Sequence, residues 1–283
     1  MRYIILTLCC LSFLVPVKAQ QWFVNLQAGA ANYDGELQAK KYTFQESHFG
    51  GGLGLGYEVS PHITLSTDLL LTQISGNDKY SHNKGDLERN VNFTSNIQEW
   101  SFRAEYVLFD LQDRSISPYI FAGLGLFHFN PYTYDSLGKK VFLQKVGTEG
   151  EGMVGYPAPY KLIQLAVPAG LGLRLALSEN VRVSLEVGLR KTTTGYLDDV
   201  HTTYVDRNTL ITGRGIEAAE LAYRLGELKG VDHTSGSFTY PAGGTARGNG
   251  KDDWYYFTAI RISFRINGGD YTTRQVRCPG SPM

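Results

Sequence analysis

The chain has 283 residues, with 27 Lys and Arg against 27 Asp and Glu, a balance that offers no basic field for nucleic acid. Its 32 Gly, 18 Tyr and 14 Phe beside only 3 Met suit strands with close backbone approaches and aromatic borders rather than helices. No run after residue 19 reaches the roughly 18 to 20 apolar residues of a spanning helix, which argues against a helical inner-membrane protein.

The first element is a leader. Met1 and Arg2 give a short basic start, Tyr3 to Val17 an apolar core, and Val17-Lys18-Ala19 ends on a small residue suited to cleavage. Residues 1–19 read as a secretory signal peptide, too short for an anchor and broken by Pro16. Cys9 and Cys10 lie inside the apolar core, so lipidation is not expected. Removing Arg2 and Lys18 with the leader leaves 25 basic against 27 acidic residues.

Eight segments follow in which apolar and polar residues alternate, as in strands that turn one face to lipid and the other to water. They are Trp22 to Asn32, Phe49 to Val59, Ile63 to about Thr72, Ile97 to Phe109, Tyr119 to Phe129, Lys161 to Leu175, Val181 to Thr193 and Trp254 to Ile266. The seventh is the clearest, with Val181, Val183, Leu185, Val187 and Leu189 interleaved with Arg182, Ser184, Glu186, Gly188 and Arg190. Within a bilayer every backbone N–H and C=O must be paired internally, which leaves strands one way to span: a closed barrel.

The connections alternate in length. Ser60-Pro61-His62 and Ser178-Glu179-Asn180 are tight and Asp110 to Pro118 is short, whereas Tyr33 to His48, Gln73 to Asn96, Asn130 to Tyr160 and Thr194 to Asp253 are long. Outer-membrane barrels have short periplasmic turns and long extracellular loops. The predicted fold is therefore all-β: an eight-stranded antiparallel transmembrane β-barrel over residues 20–266 in the cell outer membrane, followed by a periplasmic tail, 267–283.

Outward positions include Trp22, Val24, Leu26, Leu53, Leu55, Leu65, Leu69, Trp100, Phe102, Leu171, Leu173, Ile260 and Phe264, with Trp22, Trp100, Trp254 and Tyr256 near strand ends as aromatic girdles. The parity of the fifth strand is blurred by Gly123 and Gly125. Inward lie Glu58, Asp68, Glu99, Glu105 and Glu186 against Arg103, Arg174, Arg182, Arg190, Arg261 and Arg265. In a lumen just wide enough for side chains to fill, these charges are expected to pair into a structural plug rather than line an ion path. Pro168 should mark a bulge or kink in the sixth strand. Gly-Leu-Gly-Leu at Gly52, Gly123 and Gly170 lacks the strand–turn–helix setting of a nucleotide fingerprint and reads as close packing of the wall.

The longest loop predicts one helix, Ile216 to Lys229, with Ala218, Leu221, Ala222, Leu225 and Leu228 on one face and Gly230 at its end. A Ser/His/acid site at the outer rim would draw on His128, His201, Asp198, Asp199 and Ser136, but no nucleophile motif frames them. Asp198, Asp199 and His201 could also hold a divalent cation, for which a solvated turn is the preferred reading. Neither a catalytic residue nor a cofactor is assigned. The tail carries Arg274, Arg277 and Cys278, the last being the one cysteine beyond the leader. In an oxidising compartment such a cysteine is either an intermolecular disulfide partner or a free thiol.

The blocks Arg89-Asn90-Val91-Asn92-Phe93-Thr94-Ser95-Asn96-Ile97, Ser117 to Pro131 with its Phe127-His128-Phe129-Asn130-Pro131, Gly147-Thr148-Glu149-Gly150 and Tyr196-Leu197-Asp198-Asp199-Val200 resemble, in order, the PorG-like barrels of the type IX secretion machinery. The closing Arg277-Cys278-Pro279 is similar to that family's terminus. The resemblance implies an outer-membrane component associated with the periplasmic ring of that machine, whose partners are a ring lipoprotein and its companion protein. On this reading Arg274, Arg277 and Cys278 are the partner contacts. A small porin or ligand-binding barrel, and less so an outer-membrane lipid hydrolase, remain the alternatives.

Overall fold

The computed structural model describes residues 21–38, 45–229 and 239–266. The leader and the tail, with Arg274, Arg277 and Cys278, lie outside the described residues. No helix among the described residues is long and apolar enough to cross a membrane; strands form the wall instead. They are β1 (Gln21–Asp34), β2 (His48–Ser60), β3 (Ile63–Asn77), β4 (Asn92–Val107), β5 (Ile116–His128), β8 (Ile163–Ala176), β9 (Val181–Thr192) and β10 (Trp254–Arg265), with a small hairpin, β6 (Tyr132–Tyr134) and β7 (Lys140–Phe142), inside the third long loop. Each long strand pairs antiparallel with the next, and β1 closes on β10 from Phe23 opposite Arg265 to Asp34 opposite Trp254. The protein is a closed, up-and-down, eight-stranded barrel without a free edge in its wall, the form in which strands can cross a bilayer.

Alternation carries directly into burial. Along β4, Glu99, Ser101, Arg103, Glu105 and Val107 are buried while Trp100, Phe102 and Tyr106 are exposed. The same division puts Leu26, Leu53, Leu65, Leu69, Leu171, Leu173, Leu185, Ile260 and Phe264 on the outside. A water-exposed surface of this kind would be an aggregation hazard; against acyl chains it is the ordinary solvent contact of an outer-membrane barrel. The parity of β5 is uniform after all, with Ile116, Ile120, Leu124 and Leu126 outward and Tyr119, Phe121 and Phe127 inward. Gly123 and Gly125 are simply inward positions without side chains.

The inward glycines make room for the lumen. A Cβ on Gly54 would lie 2.2 Å from Oδ1 of Asp68, and one on Gly172 would lie 2.5 Å from the Tyr119 ring. The Gly-Leu-Gly-Leu repeats thus place Leu against lipid and vacate the opposite face for a neighbour's larger group.

Four expectations are corrected. Pro168 produces no bulge: pairing of β8 with β5 lapses between Ala122 opposite Ala169 and Gly125 opposite Ala166, but the register on either side is the same, and pairing with β9 runs through Pro168 opposite Arg190. The missing N–H costs ladder bonds without inserting a residue. Trp100 is not at a strand end, because β3 and β4 continue above the apolar band to Asn77 opposite Asn92. It still borders the band, since the next outward residues are Gln98 and Asn96, and its Nε1 donates to Thr67 Oγ1 at 2.9 Å. The helix predicted over Ile216 to Lys229 is broken. The loops instead hold α1 (Lys84–Arg89), α2 (Leu143–Val146), α3 (Arg207–Arg214), α4 (Ile216–Ala222) and α5 (Leu225–Lys229). The break falls at Tyr223 and Arg224: Tyr223 is extended, with φ −151°. The Arg224 backbone N–H donates to the Arg89 carbonyl, while its guanidinium donates to Thr133 Oγ1 and the Tyr134 carbonyl. Tertiary bonds override the periodicity. The fourth correction concerns Asp198 and Asp199, described below.

Candidate functional site

Two buried systems fill the barrel from end to end. The first is in the lumen. Arg103 reaches Asp68, Glu105 and Glu186, each at 3.1 Å. From the opposite wall Arg261 reaches Glu186 at 2.9 Å, Asp68 at 3.3 Å and Glu105 at 3.5 Å. Arg174 completes the group on Glu105, and Tyr119 donates to Glu186 at 2.6 Å. Three guanidinium groups thus meet three carboxylates. Two satellites lie nearer the ends: Arg182 with Glu58 at 2.6 Å, and Arg190 with Glu99 at 3.3 Å, where Tyr255 also donates. Arg265 is half-buried at the periplasmic end. Of the predicted lumen charges the structure therefore brings five acids and five arginines into contact.

Little space remains among them. The void bounded by Phe23, Asn25, Glu105, Arg174, Arg182 and Arg261 measures about 10 Å³, roughly room for one water. A larger depression of about 580 Å³ touches Leu26, Leu53, Leu69, Leu71 and Trp100. Its inward-facing neighbours Leu70, Glu99 and Phe127 are all buried, so it lies on the lipid side of the wall.

The second system closes the extracellular mouth. Rings step upward from the lumen: Tyr255 to Phe127 (5.9 Å between centroids), Phe127 to Phe129 (5.5 Å), Phe129 to Tyr160 (6.0 Å), Tyr160 to Tyr196 (4.7 Å) and Tyr196 to His201 (4.7 Å). Around them Leu37, Val91, Val141, Leu143, Leu197, Val200 and Leu221 from all four long loops form one apolar cluster with the barrel residues Phe93 and Phe257. The loops are a packed cap. Sequence blocks more than 100 residues apart converge there. Arg89 pairs with Asp78 at 2.7 Å and donates to the Arg247 carbonyl. Thr148 and Tyr160 donate to Asp199 at 2.6 and 2.7 Å. Glu149 accepts the His201 and Thr202 amides, each at 2.9 Å, and pairs with Arg247 at 3.1 Å.

Asp198 and Asp199, expected in a solvated turn, are buried. Asp199, held at φ +67°, turns its neighbour the other way. Asp198 meets Glu36 and Asp253, with a carboxylate oxygen of each within 4.8 Å of the others. His201 is not in that group. The three acids offer hard oxygen donors, but four of their six oxygens already accept bonds: one from the Tyr33 hydroxyl, whose single proton goes to Asp198 (2.7 Å) with Asp253 also near at 3.1 Å, and three from the amides of Val200, Leu197 and Asn249. We read the group as acids that share protons. Burial, then the charge of Glu36, pushes Asp198 well above the usual carboxylate range; burial, then Asp198 and Glu36, does the same to Asp253. Burial, then Glu151, pushes Asp199 up to about 8.

A group that is more basic in the folded state takes up protons on folding. Its stabilising contribution is full below the ordinary carboxylate range and is lost as pH rises through the folded value. Amide protection at Leu197, Val200 and His201, after correction for intrinsic exchange, should therefore fall by about tenfold or more between pH 5.5 and 8.5. The ladder amides of the barrel strands around the lumen should not change. Hydrogen exchange of the detergent-solubilised chain reads this directly, and protection that rises with pH would reverse the assignment.

The rim residues considered for catalysis are not assembled. Ser136 is exposed at the β6–β7 tip, His128 ends the outward face of β5, and Asp198, Asp199 and His201 belong to the cap. A serine–histidine contact does occur elsewhere at the rim, His48 Nε2 to Ser75 Oγ at 2.7 Å. There the carboxylate of Glu46 accepts from the serine itself at 2.5 Å. The hydroxyl proton is engaged by Glu46, so His48 must act as donor and is not placed as a base. Tyr33, Glu36, Glu149, Arg247 and Asp253 were not legible as site residues, since each is defined by partners in other loops.

The profile of one protein family, described as Domain of unknown function (DUF6089), matches residues 2–214. Comparison with curated proteins gives no match. Among solved structures the chain is similar to Neisserial surface protein A (TM-score 0.43, 11% identity, covering 87% of this chain and 97% of that one). It is also similar to Ail of Yersinia pestis, solved with the heparin analogue sucrose octasulfate (0.41, 7%, 88% and 99%), and to OprG of Pseudomonas aeruginosa (0.39, 10%, 88% and 98%).

Proposed function

The chain belongs to the DUF6089 family, and from that premise we propose that it is a non-enzymatic outer-membrane barrel that anchors or helps assemble the periplasmic ring of the type IX protein secretion machinery. The observation that carries this reading is the packing of charged side chains in the lumen and of the described loops above it. Among the described residues, ion pairs pack the lumen around a void of about 10 Å³, and the four long loops pack together over the mouth. A barrel packed in this way serves by what it holds at its edges.

The resemblance of the four sequence blocks to PorG-like barrels supplies the particular machine. The periplasmic edge supplies the surface: the β2–β3, β4–β5 and β8–β9 turns are short, and β10 ends beside the start of β1, with Ile266 N–H bonded to the Trp22 carbonyl at 2.8 Å. Residues 267–283 follow from that point. Arg274, Arg277 and Cys278 are the contacts for the ring lipoprotein and its companion, with the Cys278 thiol able to form a disulfide in the oxidising periplasm.

Tagged chain purified from detergent-solubilised outer membranes should retain a periplasmic lipoprotein. Non-reducing electrophoresis should show a slower species that reductant and Cys278→Ser both remove. Purification of the barrel alone, from membranes containing the intact secretion machinery, would sink the assembly role. A single monomer band with and without reductant would remove only the covalent link.

A further inference from the structure

The β6–β7 hairpin has two faces with opposite fates. Tyr132 pairs with Thr94 of β4, Phe142 with Tyr132, and Lys140 with Tyr134. Residues paired across strands project to the same side, and Thr94 shares the outward parity of Trp100, Gln98 and Asn96. Tyr134, Lys140 and Phe142 therefore continue the outward surface of the wall upward with Tyr132 buried among them, while Thr133 and Val141 turn into the cap and are also buried. The Gln73 side chain, outward above Leu71, donates to the Tyr132 hydroxyl at 3.4 Å and fixes the hairpin to the outer rim. Thr94 is six residues above Trp100, which at about 3.3 Å per residue and a strand tilt of about 40° lifts the hairpin roughly 15 Å above the top of the apolar band. That is beyond the roughly 5–8 Å that ordinary headgroups add on each side of the acyl chains, at a height reached by a lipid whose headgroup extends outward as a saccharide.

The chemistry of this face matches that level. Lys140 Nζ sits 3.5 Å over the Tyr132 ring and 5.2 Å from Phe142, and Lys145 Nζ, from α2, lies 5.9 Å from Phe142. Tyr134 and Phe142 are exposed. The neighbouring Lys139 is engaged with Glu217 at 3.6 Å, and the carboxylate of Asp135 is turned back on the amides of Leu137 and Lys139. Two ammonium groups on an aromatic platform thus face outward at headgroup height.

We propose that this face binds the phosphate-bearing headgroup of an outer-leaflet glycolipid, with Lys140 and Lys145 on the phosphate and the exposed Tyr134 and Phe142 against the sugar. Two observations select a lipid over a protein partner: the face is continuous with the lipid-facing wall, and its charge is opposite to that of a phosphorylated headgroup. Aromatic rings with a polar edge suit the interface, and each lysine near an anionic surface contributes to retention.

Native mass spectrometry of the full chain in detergent tests this, with diphosphorylated lipid A and its dephosphorylated form as probes. The wild-type chain should retain the phosphorylated lipid and largely lose the other. K140A/K145A should weaken retention roughly thirty-fold, following the contribution expected per lysine, while keeping the fast-migrating unboiled band of a folded barrel. If the double variant folds poorly, K145A alone, on the exposed one-turn α2, should lose about fivefold. Equal retention of both lipids, retention unaffected by the substitutions, or no adduct at all would overturn the proposal. A dimer peak lost in the variants without any lipid adduct would assign the face to a second copy of the chain instead.

Discussion

Replacing Arg261 by Met should lower the unfolding free energy of the barrel by about 3–5 kcal/mol, the penalty for leaving a buried charge without its partner. Arg261 touches Asp68, Glu105 and Glu186, is 1% exposed, and also donates to Gln27 at 3.2 Å. Its loss leaves three carboxylates facing Arg103 and Arg174 in a space with room for about one water. Met fills much of the volume, so the cost reads charge imbalance rather than a cavity. Adding Glu186→Gln restores equal numbers of opposite charges and should recover about half of the loss or more, which a simple packing defect would not do. Guanidinium titration of the barrel in vesicles, with the unboiled electrophoretic shift as a second readout, measures both. A single variant within about 1 kcal/mol of wild type would show that the cluster is already neutralised by protons.

The second large effect is expected on the other face. Leu185→Arg should cost about 2–4 kcal/mol, and Ile63→Arg about 0–1 kcal/mol, because a charge on the lipid side is penalised by depth. Leu185 is outward near the middle of β9, between Leu173 and Ile260, whereas Ile63 opens β3 beside the periplasmic turn. Both are similarly exposed, at 54% and 43%, so a soluble barrel would treat the two substitutions alike. Equal costs in vesicles would therefore contradict the membrane placement itself.

These two faces were the legible part of the chain. Alternation is a property of neighbouring residues, and it placed β9 within one residue of its observed end. It also separated Glu99, Arg103, Glu105 and Glu186 from Trp100, Phe102 and Leu185 without any knowledge of partners. The cap was illegible for the opposite reason. Tyr33 acquires its role from Asp198 and Asp253, 165 and 220 residues away, and Glu149 from residues 52 to 98 away. No local period encodes such contacts. Asp198-Asp199 looked like a solvated turn because adjacent acids usually are one; in the folded chain each faces a different loop, and the Asp199 backbone adopts a left-handed conformation to allow it. The loop helix failed similarly, where the periodicity was correct but Arg224 found better partners across the cap.

The arrangement of the lumen also bears on how the barrel is made. Asp68 comes from β3, Arg103 and Glu105 from β4, Arg174 from β8, Glu186 from β9 and Arg261 from β10. A sheet growing from its N-terminal strands would hold Asp68 and Glu105 against Arg103 alone until the last three strands arrive. Such a sheet is poorly suited to lipid, because its charges lack half their partners and its first strand lacks β10. Closure of the seam and neutralisation of the lumen are then one event. Insertion should be all-or-none, with truncated or stalled chains held back at the water side of the membrane rather than left half-built within it.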